Sequence, residues 1–181
     1  MAFKHLYMQQ TSFNGLSYTK GTAIDITAQF NVVCRSMPFK VFPETKDVVA
    51  ENWIGSHGQA VYIPSYNRTK DYEIEVQFLY VGTHSTMRSH IGNFVKYING
   101  HIGVGAADPV GARLAIYDEY TQTGRKDVRV KNVDFGGWYD NADFDTDAIA
   151  DFKVKFQVYD PVTDVTPTFT QQGALSDLTW T

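Results

Sequence analysis

The side chains able to do chemistry are present but scattered. Five histidines, His5, His57, His84, His90 and His101, stand too far apart in the chain to define a metal site. Only His84 and His90 share a segment, and six residues correspond to about 600° of helix rotation, which puts them on different faces. A zinc site is therefore not indicated. The acidic run Asp140, Asp143, Asp145, Asp147 and Asp151 has the alternation a hard cation wants. Setting Asp143, Asp145 and Asp147 as the first three ligands of a calcium loop puts Ala148 where glycine is required and Val154 where the bidentate glutamate belongs. A solvated acidic loop between strands is the expectation over a cation site at residues 140–151. Cys34 is the only cysteine, which excludes an intramolecular disulfide and a thiolate zinc cluster. Its surroundings, VVCRSM, offer no activating base, so it reads as a small hydrophobe.

Other catalytic patterns fail in the same way. The glycine-rich stretch HIGVGAADPVGA fits neither the Walker nor the dinucleotide spacing and has no Lys-Ser/Thr after it, so it reads as a connection. No G-x-S-x-G elbow occurs. Carboxylate pairs such as Glu73 with Glu75 or Asp118 with Glu119 would do glycosidase work only by flanking a cleft, which spacing cannot establish. The reading is a protein that is not an enzyme and carries no cofactor and no metal.

The elements that would position these groups are mostly strands. One stretch reads as a helix, His84–Gly100, where Met87, Ile91, Phe94, Val95 and Ile98 form one apolar stripe and Arg88, Asn93, Lys96 and Asn99 take the other side. Thr83 or Ser85 can cap its start, and Gly100 can take the left-handed conformation at its end. The clearest strand is Tyr72–Tyr80, with Tyr72, Ile74, Val76, Phe78 and Tyr80 facing one way and Glu73, Glu75 and Gln77 lining a wet face. Phe152, Val154, Phe156 and Val158 alternate with Lys153, Lys155 and Gln157 until Asp160-Pro161 breaks the pattern.

Shorter strands are expected at Phe3–Met8, Ile24–Phe30, Arg35–Phe42 and Gln59–Ile63. Arg113–Tyr117 and Val128–Val133 are expected to form a hairpin through Asp118–Asp127, with Gly124 supplying positive φ at the turn. Pro43–Ser56 is a polar loop holding Trp53, and Val162–Thr181 is a Thr-rich tail, either an arm or a poorly ordered terminus. A single amphipathic helix cannot bury its own stripe, so it must lie on the sheet. The predicted fold is mainly β with one α-helix, an antiparallel split β-barrel or sandwich packed by that helix.

Composition agrees. The 181 residues are 43% hydrophobic and 20% charged, ordinary for one globular domain spanning 1–181. Eleven Tyr, 12 Phe and 3 Trp favour strands and contact surfaces. A net charge of -4 gives no basic footprint for nucleic-acid binding. The start, MAFKHLYMQQ, lacks a signal pattern, and no apolar run approaches the ~18 residues of a membrane span. Synthesis and folding in a cytoplasm are the expectation.

The succession ENWIGSHGQAVYIP (Glu51–Pro64), KDYEIEVQFLYVG (Lys70–Gly82) and a helix ending NFVKYING (Asn93–Gly100) resembles the N-terminal domain of distal tail proteins of tailed bacteriophages. RLAIYDEYTQTGRKDVRVKNV (Arg113–Val133) and DFKVKFQVYDPV (Asp151–Val162) continue the likeness, which covers about residues 40–165 in pattern and order. The resemblance implies a tail-tube-like split β-barrel flanked by a helix. It further implies a structural protein of the virion that forms a homohexameric ring around the DNA channel where tail tube meets baseplate.

Tail tube proteins and the tube protein of type VI secretion share that architecture and stand as alternatives. The implied partners are further copies of the chain and neighbouring tail proteins, with DNA only in transit and no membrane. In such a ring Glu73, Glu75 and Gln77 would face the channel, where they would not hold DNA. Trp53, Arg88 and Lys96 would lie at subunit interfaces, with the N-terminal segment, loop 43–56 and the C-terminal tail as arms. An alternative of another class is a small β-sandwich binding carbohydrate on Tyr66, Trp138 and Tyr139.

Overall fold

Alternation of apolar and polar side chains decides most of the architecture. In the computed structural model, which describes residues 5–48, 50–51, 60–61, 65–105, 107–140 and 148–180, the alternating run at Tyr72 forms strand β6, Tyr72–Gly82. It lies beside β9, Ala148–Val158, in register from Tyr72↔Val158 to Gly82↔Ala148. Around this pair assemble β1 (Leu6–Phe13), β2 (Tyr18–Asp25), β3 (Val32–Ser36), β7 (Arg113–Asp118) and β8 (Thr123–Asp140). The result is a seven-stranded antiparallel sheet in the order β2-β1-β7-β8-β9-β6-β3. The sheet does not close into a barrel: β2 and β3 are its edges. Of the two predicted forms, the sandwich is the one present.

The helix forms where its periodicity places it. Helix α2 covers His84–Ile98 and buries Met87, Ile91, Phe94, Tyr97 and Ile98 on the sheet, with Val95 partly buried beside them. Phe94 meets Phe78 at 5.2 Å and Phe152 at 5.9 Å between ring centroids. Each such fully buried side chain contributes ~1.5–3 kcal/mol relative to exposure. The end is a hydrogen-bonded cap in which His101 N donates to Lys96 O (2.9 Å) and Gly100 N to Tyr97 O (3.0 Å), with Gly100 at φ 72°. A Cβ at Gly100 would lie 2.8 Å from Ala112 N, so both the conformation and the space require glycine.

Two predictions need correction. Ile24–Phe30 is not one strand: β2 ends at Asp25 and a five-residue helix, α1 (Ile26–Phe30), comes next, so the chain has two helices among the described residues. Ile26 and Phe30 are four apart as well as two plus two, so the same apolar residues satisfy both periods. The Asp25 side chain caps Thr27 N at 2.9 Å and tips the balance to helix. Gly124 does not supply the positive φ of the β7–β8 connection; Gln122 (φ 54°) does, and Asp127 (φ 53°) takes the same conformation within β8, where the β7–β8 register shifts. Gly124 is needed for room, since a Cβ there would sit 2.4 Å from Val165 O.

Of the two readings of the tail, the poorly ordered terminus is not what the described residues show. Val165–Phe169 (β10) and Leu175–Trp180 (β11) pair as a hairpin. They cover the outward side of β1, β2 and β7 with a second small core of Tyr7, Ala23, Ala115, Val165 and Leu178. Asp177 ties this hairpin down, accepting from Gln9 Nε2 at 2.8 Å and Lys20 Nζ at 2.9 Å.

Candidate functional site

The sheet has two faces, and the parity of β6 assigns its residues to them. Even positions go to the helix side. Odd positions, Glu73, Glu75 and Gln77, emerge on the opposite side together, as their spacing predicts. There they meet residues that long-range pairing supplies: Gln157 opposite Glu73, Lys155 opposite Glu75 and Lys153 opposite Gln77 on β9. On β8, Asn132 stands opposite Lys155 and Asp134 opposite Lys153. Arg35, beside a bulge in β3, donates to Gln77 Oε1 at 3.1 Å.

The face is therefore a ladder of crossed ion pairs. Glu75 takes Lys153 at 3.0 Å and Lys155 at 3.7 Å, and Glu73 takes Lys131. The hydrogen bond from Lys153, with its charge, holds the Glu75 carboxyl below its ordinary range, and Lys155 adds to this. The hydrogen bond to Glu73 raises Lys131, and that to Glu75 raises Lys153, above the usual lysine value. Alternation alone read this face as wet, with two glutamates and a glutamine. Lysines offset those glutamates: Lys153 and Lys155 because β6 pairs with β9, a strand of opposite charge pattern more than sixty residues away, and Lys131 from β8 beyond it.

Next to this face the chain leaves the sheet. Its described residues there form two facing arms of a hairpin: Lys70 N donates to Glu44 O and Lys46 N to Arg68 O, each at 2.7 Å. Ala50–Glu51 (β4) pairs with Ala60–Val61 (β5) farther out. Among the described residues 41–70 none joins either core, and Val41 and Phe42 are 65% and 92% exposed. Trp53 lies outside the described residues, as do His57, Asp143, Asp145 and Asp147. Arg125 anchors the base of this hairpin, almost buried, donating to Lys40 O at 3.2 Å and pairing with Asp164.

The remaining candidates do not converge. Arg88 and Lys96 are exposed on the solvent side of α2, across the sheet from Glu75. His5 pairs with Asp25 at 2.6 Å, and His90 packs edge-on to Tyr80 at 6.1 Å. Asp151 accepts from Gly137 N at 2.7 Å, fastening a bulge in β8. Cys34 packs against the main core. No cluster of three or more His, Cys, Asp or Glu side chains able to hold a metal occurs among the described residues. Tyr66 is exposed at the hairpin base, while the side chains of Trp138 and Tyr139 fall outside the described residues. No helix among the described residues is long and apolar enough to cross a membrane.

A search against models of known families and a search of curated proteins each find no match for this chain.

Proposed function

We propose that the chain is a non-enzymatic structural subunit that assembles into a ring, in the manner of the phage distal tail proteins its sequence resembles, with the β6–β9 face toward a central channel. The observation that carries this reading is the uncovered, charge-balanced half of the sheet beside a hairpin whose described residues pack on neither core. A balanced ladder is suited to lining a passage for a polyanion: Lys131, Lys153 and Lys155 are occupied by Glu73 and Glu75, so they offer few free charges to phosphates. A hairpin with exposed Val41 and Phe42 is suited to reaching a neighbouring copy. Arg88 and Lys96 supply a second candidate contact on the helix layer. A tube subunit would use the same features, and the reading covers both.

Light scattering with negative-stain imaging of the purified chain, alone and mixed with neighbouring tail proteins, is the test. Rings of several 20.4 kDa subunits are expected, weakened by the double variant Arg88→Glu/Lys96→Glu without loss of the monomer fold. A strict monomer at high concentration that forms no ring with those proteins overturns the proposal.

A further inference from the structure

At one end of the outward face, a row of residues crosses the strands in register. Thr11 of β1 pairs with Arg113 of β7, and Arg129 of β8 pairs with Gln157 of β9. The β7–β8 register ends at Leu114↔Val128, so Arg113 and Arg129 are the next residues of the two strands, and both line one cleft on the outward side. Like charges brought together across neighbouring strands destabilise a sheet. The acids nearby are already engaged. Asp127 accepts from Arg113 Nη1 at 3.0 Å and from the Tyr18 hydroxyl at 2.6 Å, and Asp160 holds Lys126 at 3.3 Å and the Thr163 hydroxyl at 2.8 Å. Arg129 has no side-chain partner among the described residues.

Thr11, Arg113 and Arg129 line a cleft of about 450 Å³ together with Ser12, Phe13, Gly111, Ala112 and Tyr159. Arg113 is held in place, paired to Asp127 and stacked 5.9 Å over Phe13, which in turn meets Tyr18 at 4.8 Å. Thr11 is 1% exposed, yet its hydroxyl has no hydrogen-bond partner among the described residues. A buried hydroxyl without a partner costs free energy, and a second polar group beside it would recover that cost. Gly111 allows the wall to close in, since a Cβ there would lie 2.7 Å from Thr11 O.

We infer that this cleft is an oxyanion site, in which a carboxylate or phosphate bridges Arg113 and Arg129. Guanidinium groups present paired N–H donors that match two oxygens of such a group. One anion would relieve the repulsion across β7 and β8, and Phe13 and Tyr159 would flank whatever apolar part it carries. The chemistry is the same whether the anion is free or is an acidic side chain of a second copy. It does not depend on ring formation, because the site is complete within one chain.

The test is the arginine Nε–H region of ¹H–¹⁵N spectra, titrated with inorganic phosphate and with propionate at constant ionic strength against chloride. Saturable shifts at Arg113 and Arg129 are expected, with affinity falling about tenfold or more in Arg129→Gln and several-fold in the near-isosteric Thr11→Val. The backbone spectrum of each variant reports that the fold persists. Shifts no different from those with chloride, or unchanged affinity in Arg129→Gln, overturn the inference. Sedimentation then identifies the source. Self-association that is lost both on adding propionate and in Arg129→Gln assigns the site to a carboxylate of a second copy; a mass insensitive to both assigns it to a free anion.

Discussion

The outward face of the sheet is finished differently in its two halves. Over β2, β1 and β7 the outward residues include Tyr7, Ala23 and Ala115, and the C-terminal hairpin seals them with Val165 and Leu178. Over β8, β9 and β6 the corresponding positions are Lys153, Lys155, Glu73 and Glu75, which pair with one another and with Lys131. Both halves obey the same alternation, so the contrast lies in side-chain type alone. Small and aromatic residues invite a second layer. A charged ladder resists an apolar one, because covering it would strip water from every ion pair. The open half is thereby reserved for water or a polar partner, and the covered half for the chain's own tail.

The largest expected effect tests the seal. Leu178→Ala, at a fully buried site on the inner side of the hairpin, should cost about 2–5 kcal/mol in chemical denaturation, as core leucine truncations do. A loss well below that range would mean the hairpin is not an integral layer. Acid tests its fastening next. Burial works against the Asp177 carboxylate, but the hydrogen bonds from Lys20 and Gln9 outweigh it and leave its pKa below the ordinary value of 3.8. Its stabilisation is therefore present above the ordinary carboxylate range and fades as pH falls through the lowered folded value. Because Lys20 lies 4.0 Å over Trp180, tryptophan fluorescence should report loosening of the hairpin in strong acid, with the acid step missing in Asp177→Asn.

Alkali gives a smaller signal in the same half. Burial first, then the bond to Asp127, pushes the Tyr18 phenol up to about 12. The neutral phenol's contribution is complete below pH 10 and lost as pH rises through about 12. Difference absorbance between the wild type and Tyr18→Phe should place this ionisation well above that of free tyrosine. Glu75→Gln, in the open half, should have the least effect. Exposed ion pairs contribute little to stability, so the denaturation midpoint should stay where it is while the salt dependence of any self-association changes. A large drop in midpoint would show that the ladder holds the sheet together and would erase the contrast between halves.

Legibility depended on the length and purity of the periodicity. Tyr72–Tyr80 of β6, α2 and the Phe152–Val158 part of β9 were readable because alternation or a helical stripe runs unbroken to a stop such as Gly100 or Asp160-Pro161. The α1 turn was hidden because four apolar residues at even spacing fit a strand as well as a short helix. The length of β8, Thr123–Asp140, was hidden by irregularities at Val130/Asn132 and Phe135/Trp138, each of which shifts the alternation of the residues beyond it. The tail hairpin was missed because its threonines have strand propensity but few apolar residues to mark a face.

For the candidate site, Glu73, Glu75 and Gln77 could be grouped from sequence, since one strand carries them. Lys131, Lys153 and Lys155 could not, because register between distant strands is set by tertiary packing. Arg113 and Arg129 were missed for the same reason. The opposite charge patterns of Tyr72–Tyr80 and Phe152–Val158 were the one available hint that the two strands are partners.

The place of β9 between β8 and β6 also sets an order of events. In the strand sequence of the sheet it alone bridges β8 to β6, so β6 and β3 cannot join the rest until residues 148–158 exist. During synthesis β6 and α2 emerge well before that partner. Contacts of such sequence separation make folding slow and leave apolar surface and an unpaired strand edge waiting. A truncation lacking β9 should therefore leave two incomplete pieces of sheet rather than a smaller version of the fold.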